Sequence, residues 1–139
     1  MDTQLVAYLT FTDETKDAMT LYKEIFGGEL ILQTFGDSGQ ADTDEVKDRI
    51  IHAQLKNEMF TLMASDTHPM YGPVVIMGNS VNLSLIGSDL EKLTEYFTKL
   101  AHEGSIEMPL AKQFWGDTFG ACTDKFGIHW MVNVNNALE

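Results

Sequence analysis

Apolar and polar positions in the first part of the chain change from the pattern of a strand to that of a helix. A mostly apolar segment runs from Leu5 to Phe11, and Thr12-Asp13 after it is typical of residues that cap a helix. Apolar residues then recur at helical spacing: Ala18, Met19, Tyr22, Ile25 and Phe26. Gly27-Gly28 follows as a helix stop. The pattern predicts a strand and then a helix.

Three more strands complete the first half. The apolar segments are Glu29 to Phe35, Ile50 to Leu55 and Met59 to Ala64. Between the first two of them, Asp37 to Asp48 is rich in Gly, Ser and Asp and predicts a solvated loop or a short surface helix. Only three residues separate the last two strands, which favours a hairpin. The first half is therefore predicted to be β-α-β-β-β.

The same order begins again at Val81. The predicted strands are Val81 to Ile86, Ser105 to Leu110, Phe119 to Thr123 and Ile128 to Val134. Between the first two, Ser88-Asp89 is expected to cap a second helix that Gly104 ends. A shift of 74 positions superimposes Leu9 on Leu83 and Tyr22 on Tyr96. The halves are therefore interpreted as a repeat, with chance matching of two amphipathic helices as the alternative.

The organisation predicted from these patterns is α+β. A chain of 139 residues with 44% hydrophobic residues is expected to form a single domain over 1–139. Its first module covers about 1–66, a linker rich in Pro and Gly covers about 67–80, and its second module covers about 81–139.

Composition excludes several classes of partner. The net charge is -12, with only nine Lys and Arg, which argues against nucleic acid and against anionic membrane surfaces. No apolar run approaches the roughly 18 residues of a membrane span, and the chain starts without the pattern of a signal peptide. A cytoplasmic location is therefore expected. The lone cysteine, Cys122, lies in an apolar context and is interpreted as a packing residue.

Short motifs along nearly the whole chain resemble one known family. In the first half they are Tyr8 to Phe11, Leu21 to Leu30, Ile51 to Leu55 and Leu62 to Asp66. In the second half they are Met108 to Leu110, Phe114 to Gly116, Phe119-Gly120 and Thr123 to Asn133. In order and spacing the chain resembles the PhnB-like branch of the glyoxalase/bleomycin-resistance (vicinal oxygen chelate) superfamily.

The resemblance implies a fold and a place for the ligand. Two β-α-β-β-β modules would form a curled eight-stranded mixed sheet, a cup that holds the ligand and that a second subunit usually completes. A homodimer is therefore expected. Metal-dependent relatives place one ligand on the first and last strand of each half. Carried over, these positions fall at Ala7, Thr61 or Leu62, Asn82 and Met131. Since these residue types do not suit a divalent ion, we expect no metal and no other cofactor.

Eight residues are expected to contact a ligand: Ala7, Leu9, His52, Leu62, Asn82, Trp115, His129 and Met131. His52 could act as a base or donate a hydrogen bond, or be a structural histidine. Trp115 with Phe114 offers an aromatic wall and one N–H donor, although core packing or a dimer contact would explain them equally. Asn82 is the polar residue at a former ligand position.

Three functions fit the sequence to different degrees. The first is metal-free binding of a small organic molecule. The second is a metal-dependent enzyme of the glyoxalase or lyase type, with unconventional ligands among His52, His129, Asp66 and Asp124. The third is the methyltransferase label often attached to this branch, and it is weak because the Gly-rich turns end a helix or open a loop. The sequence favours the first and assigns no catalytic residue.

Overall fold

The computed structural model describes residues 2–39, 41, 43–70 and 72–135. Contacts between residues divide the chain into two compact units, Met1–Ile76 and Met77–Glu139. Within the described ranges, no helix has the length and apolar character needed to cross a membrane. The interpretation of the chain as one domain stays a prediction.

The first unit has the predicted order of elements. Its described residues form β1 (Ala7–Phe11), α1 (Thr15–Phe26), β2 (Glu29–Thr34), α2 (Asp44–Lys47), β3 (Ile50–Lys56) and β4 (Thr61–Asp66). The strands form one sheet, sheet A, in the order β1-β4-β3-β2, in which β1 and β4 are parallel and the other neighbours antiparallel. The short helix α2 lies in the acidic stretch, where a loop or a short surface helix was predicted.

The second unit repeats this arrangement. Its described residues form β5 (Leu83–Gly87), α3 (Leu90–Ala101), β6 (Ser105–Lys112), β7 (Thr118–Thr123) and β8 (His129–Val134). They build sheet B in the order β5-β8-β7-β6, again with one parallel pair, β5 and β8. The α+β fold of two β-α-β-β-β modules is thus confirmed, and in the described residues the eight strands form two four-stranded mixed sheets.

Each long helix buries one face against its sheet. In α1 the buried residues are Thr15, Ala18, Met19, Tyr22, Ile25 and Phe26. In α3 they are Leu93, Tyr96, Phe97 and Leu100. These residues recur every three or four positions, so removal of their apolar surface from water stabilises both helix and sheet. The face of α1 predicted from periodicity therefore agrees with the structure.

The two helices begin differently. In α3 the Asp89 side chain accepts a hydrogen bond from Lys92 N at 3.1 Å, as the cap prediction required. In α1 the N-cap is Glu14, without a side-chain capping bond, so the predicted cap at Thr12-Asp13 is wrong. Instead Asp66 Oδ1 accepts from Thr15 N at 3.0 Å. A carboxylate from the end of β4 therefore satisfies the first amide of the helix.

The predicted linker is divided between the two units. Thr67 Oγ1 donates to the carbonyl oxygen of Pro73 at 2.9 Å, and Thr67 N donates to Phe11 O at 2.8 Å. The beginning of the linker is therefore held against the first unit. Residues 77–82 belong to the second unit, where Gly78 O lies 3.0 Å from His129 Nε2. One linker residue, 71, lies outside the described residues.

Candidate functional site

Sheet A has one face against α1 and an opposite face, which we call the far face. On the helix side Phe11, Leu62 and Ala64 are at most 3% exposed. Side chains alternate between the two sides of a strand. Tyr8, three positions before Phe11, and Met63, between Leu62 and Ala64, therefore lie on the far face. They are cross-strand partners, as are Thr10 and Ser65 in the next row.

His52 lies on the far face of β3, next to a β-bulge. The pairing of β2 with β3 runs from Gln33 opposite His52 to Thr34 opposite Ile50, so Ile51 is an extra residue. Ile50 is 1% exposed and Ala53 is 0% exposed, although strict alternation would put these two residues on opposite faces. His52 thus lies on the far face by alternation with buried Ala53 and Leu55, and the bulge allows Ile50 to be buried although it has the same parity as His52.

Tyr8 and His52 meet across the far face. The Tyr8 hydroxyl lies 3.2 Å from His52 Nδ1, and the ring centroids are 5.9 Å apart. The other ring nitrogen, Nε2, has no hydrogen-bond partner among the described residues and is not buried. The pair thus joins β1 to β3 over the intervening strand β4 and leaves polar atoms available to a ligand.

Eight side chains form two neighbouring rows on this face, and we call them the far-face patch: Tyr8, Thr10, Ile31, Gln33, His52, Gln54, Met63 and Ser65. Strand spacing gives the patch a size of about 14 Å by 7 Å. None of the eight is an acid, a lysine or an arginine. The nearest charged pair on this face, Glu29 opposite Lys56, lies at the end of the sheet. The patch is therefore an uncharged surface rich in hydrogen-bonding groups.

The far face of sheet B carries a different set of side chains. Buried Trp130 and Val132 face α3, so His129 and Met131, which alternate with them along β8, lie on the far face. Met131 is paired with Ser84 and Ala121. The predicted residue Asn82 precedes β5 and is exposed.

His129 is held in a hydrogen-bond network. Its Nδ1 lies 2.7 Å from Thr123 Oγ1, and that hydroxyl lies 2.6 Å from Glu107 Oε1. Its Nε2 lies 3.0 Å from the carbonyl oxygen of Gly78. Both ring nitrogens thus have protein partners, and the network ties the start of the second unit to β8. His129 therefore serves the structure of this unit, whereas His52 keeps a free ring nitrogen.

Three aromatic side chains follow one another at the β6–β7 turn. Phe114 and Trp115 meet edge to face with ring centroids 4.9 Å apart, and Trp115 meets Phe119 at 6.3 Å. Phe114 is 97% exposed and Trp115 is 50% exposed. The sequence-based aromatic wall is therefore present in the structure, and Phe119 of the sheet B far face extends it.

Three of the predicted ligand contacts need correction. Leu62 is 3% exposed, and Ala7 and Leu9, which are partly buried, share its side of sheet A. All three face the helix because they have the parity of buried Phe11. The far-face neighbours Tyr8 and Met63 replace them as candidates. The alternation of apolar Ala7, Leu9 and Phe11 with the hydroxyl-bearing Tyr8 and Thr10 was the signal available in the sequence.

The chemistry of the far-face positions does not suit a metal. At the cross-strand pairs near the positions carried over from metal-dependent relatives, the far face holds Tyr8, Met63, Ser84 and Met131. A phenol, a hydroxyl and two thioethers lack the imidazole or carboxylate donors that divalent ions prefer. In the described part of the chain, no three His, Cys, Asp or Glu side chains are grouped closely enough to hold a metal ion. Absence of bound metal stays a prediction.

Two aspartates considered as unconventional metal ligands are already engaged. Asp66 accepts from Thr15 N and, at 2.8 Å, from Ile50 N. Asp124 accepts from the Trp130 indole at 2.8 Å and from backbone amides of its own turn. Both are at most 5% exposed. Their oxygens stabilise the fold and are therefore not available to a ligand.

Cys122 is a packing residue in the structure as well. Its side chain is 1% exposed in β7. Burial raises the pKa of its thiol to about 12, and the nearby carboxylates of Glu107 and Asp124 act in the same direction. A thiol in this environment stays protonated and therefore unreactive at neutral pH.

Comparison with known proteins agrees with the fold. A family model described as Glyoxalase/Bleomycin resistance protein/Dioxygenase superfamily matches residues 4–132. Protein YjdN of Escherichia coli K12 is 32% identical over 141 aligned residues, which cover 94% of each chain. The crystal structure of protein PA1353 from Pseudomonas aeruginosa has a TM-score of 0.85 and 39% identity, and the match covers 96% of this chain and 98% of that one.

A Bacillus cereus structure described as a putative 3-demethylubiquinone-9 3-methyltransferase, PhnB protein, has a TM-score of 0.77. It covers 96% of this chain and 100% of its own at 22% identity, so it shows a shared fold only. The family match extends over nearly the whole chain and over both modules. This chain therefore belongs to the glyoxalase/bleomycin-resistance (vicinal oxygen chelate) superfamily.

Proposed function

We propose that this protein binds a small organic molecule on the far face of sheet A without the help of a metal. The observation that carries the proposal is the far-face patch, where hydrogen-bonding side chains surround Met63 and Tyr8. His52, Gln54, Met63 and Ser65 are all partly buried, so a ligand could bury them further at small cost in side-chain entropy. Ligand sites combine apolar area with a few such polar groups.

The two enzymatic alternatives find less support. A metal-dependent reaction would need several donors that converge on one ion, and within the described ranges no three His, Cys, Asp or Glu side chains are grouped closely enough. A methyltransferase of the usual kind would need a Gly-rich turn that opens a helix, and Gly27 ends α1 instead, with a φ of 74°. We therefore propose binding as the activity and extend neither reaction to this chain.

We also propose a cytoplasmic homodimer. Large apolar side chains are exposed at several places in both units, including Leu5, Val74, Ile76 and Val81, each at least 74% exposed. Contact with a second copy would remove such surface from water. Light scattering at micromolar concentration tests this part, and a monomer there would contradict it.

A thermal-shift screen with small metabolites tests the binding proposal. A ligand present at a hundred times its Kd stabilises the folded state by about 2.7 kcal/mol. Met63→Lys places a charge in the patch and should remove the shift. Met59→Lys is the matched control, because Met59 is 51% exposed beside the β3–β4 turn. Hits that respond equally in both variants would contradict a site on this face.

Two further variants test the sequence-based site of the second unit. If the second unit binds a ligand at Asn82 or Trp115, then Asn82→Ala and Trp115→Ala should each weaken binding by that unit by about 1 to 3 kcal/mol. Both side chains are exposed, so the fold should tolerate either change. Elemental analysis after dialysis against a mild chelator tests the metal-free part of the proposal. One tightly held metal ion per chain, lost in His52→Ala, would overturn it.

A further inference from the structure

The structure points to the class of ligand, and we propose an uncharged molecule that presents an amide-like group, a donor beside an acceptor, to Tyr8 and His52. This inference rests on the proposed function, since it names what the far-face patch recognises. Two independent features carry it: the charge of the patch and the hydrogen-bonding capacity of the ring pair.

The charge of the patch selects against ions. An anion would need Lys or Arg to replace its hydration, and a cation would need carboxylates. None of these residue types is among the eight members of the patch, although 22% of the chain is charged. An ionic ligand would lose water without gaining a partner of opposite charge. The patch therefore fits a neutral polar molecule.

The ring pair offers one donor and one acceptor in either tautomer of neutral His52. If the Tyr8 hydroxyl donates to Nδ1, then Nε2 carries a proton and donates outward, while the tyrosine oxygen accepts. If Nδ1 instead donates to the hydroxyl oxygen, then Nε2 accepts and the tyrosine proton is free to donate. A ligand with one donor and one acceptor is satisfied in both cases, whereas a ligand with acceptors alone leaves one protein acceptor unpaired.

The neighbours of the ring pair have the same dual character. Gln33 is the cross-strand partner of His52, and Gln54 lies two residues along β3 on the same face. Each carboxamide carries a donor and an acceptor, and neither has a hydrogen-bond partner among the described residues. Gln54 is partly buried, but its carboxamide is not among the buried unpaired groups, so it remains accessible to a ligand. An amide-bearing ligand complements these groups.

Four molecules of nearly one shape test the inference: benzamide, benzoate, benzamidine and acetophenone. They present a neutral donor and acceptor, an anion, a cation and a neutral acceptor alone. Dissociation constants would be measured by NMR from the shifts of the His52 and Tyr8 ring signals. We expect benzamide to bind at least threefold more tightly than each of the other three. Equal or tighter binding of benzoate or benzamidine at these signals would overturn the inference.

Variants separate recognition by the pair from simple burial of the ring. Tyr8→Phe keeps the ring and removes the hydroxyl, and His52→Gln removes the imidazole. Each variant should bind benzamide about 2- to 12-fold more weakly, because one neutral hydrogen bond is lost. The binding of acetophenone should change less. His102→Gln, at the exposed end of α3, is the matched control and should change neither constant. An unchanged ratio of benzamide to acetophenone in Tyr8→Phe would refute the role of the pair.

Failure of this inference is distinguishable from failure of the proposed function. Suppose that Met63→Lys abolishes the binding of a metabolite, but that this metabolite is charged or binds Tyr8→Phe as well as the unchanged protein. That result would contradict the amide-like class of ligand and would support binding on the far face. A lack of metabolite hits together with a lack of benzamide shifts would contradict both.

Discussion

Replacement of Asp66 by asparagine is expected to destabilise the protein by about 2 to 3 kcal/mol. One carboxylate oxygen accepts from Thr15 N at 3.0 Å and the other from Ile50 N at 2.8 Å, so this side chain joins the start of α1 to the start of β3. Asparagine has the same shape but only one acceptor oxygen. Its NH₂ group would face one of the two backbone donors and leave that donor buried and unpaired.

The magnitude follows from the loss of a hydrogen bond to a charged group in a buried place. Such a bond contributes about 1.5 to 3 kcal/mol, and the unpaired donor adds to the loss. Asp66 is 5% exposed, so water cannot easily replace the lost partner. Asp13→Asn is the matched control, because Asp13 is exposed in the segment where the sequence predicts the cap. Because Asp13 is exposed, the control variant should lose less than about 0.5 kcal/mol of unfolding free energy.

Urea unfolding followed by far-UV circular dichroism measures both variants, with an unchanged m-value as the test of a simple stability change. The described tryptophans, Trp115 and Trp130, both lie in the second unit. Their fluorescence therefore reports that unit alone, and comparison of the two signals shows whether Asp66→Asn acts only on the first unit. A loss smaller than that of Asp13→Asn would refute the assignment of Asp66 as the residue that caps α1.

Three further predictions follow from single features of the fold. Because burial raises the pKa of Cys122 to about 12, native protein at pH 8 should react with iodoacetamide roughly a thousandfold more slowly than a free cysteine, and protein unfolded in urea should react at the ordinary rate. Gly28→Ala should lower the free energy of unfolding in urea by more than about 1 kcal/mol, because Gly28 has a φ of 116° and an added Cβ would lie 2.5 Å from a backbone oxygen of β3. Gly39 has a φ of 77°, but an added Cβ there would have no atom within 4 Å, so Gly39→Ala should destabilise the protein less. A hydrogen bond from Lys99 holds the pKa of Glu95 below its ordinary value of 4.5. The stabilisation of the fold by this bond is therefore present above the unfolded-state pKa and is lost as the pH falls through the folded-state pKa. An NMR titration of the Glu95 carboxyl carbon should show the low pKa, and Lys99→Met should raise it.

The repeat, the helix faces and one helix cap could be predicted from the sequence because each depends on residues close together in the chain. The periodicity of Leu93, Tyr96 and Leu100 is enough to define the buried side of a helix. Asp89 can reach the amide of Lys92 within a single turn. The offset between the modules depends on the feature compared. β1 and β5 begin 76 residues apart and the two long helices begin 75 residues apart, whereas the side-chain matches in the sequence give 74.

The candidate site depended on long-range pairing. In β1 the position carried over from metal-dependent relatives fell at Ala7, and an offset of one residue in such a carry-over exchanges the two faces of a strand. The pairing of β1 with β4 and the packing of α1 decide which face meets the helix, and they turn Tyr8 outward.

Sequence alone thus determined the order of elements, the modular repeat and the uncharged character of several strand positions, because composition and local spacing carry that information. Tertiary structure decided which of those positions share a face. The bulge at Ile51 buries Ile50 although it has the same parity as His52, and Asp66 caps a helix that begins 51 residues earlier. Both outcomes arise from contacts between strands distant in sequence. A local pattern cannot specify them, since a register shift of one residue exchanges the two faces of a strand.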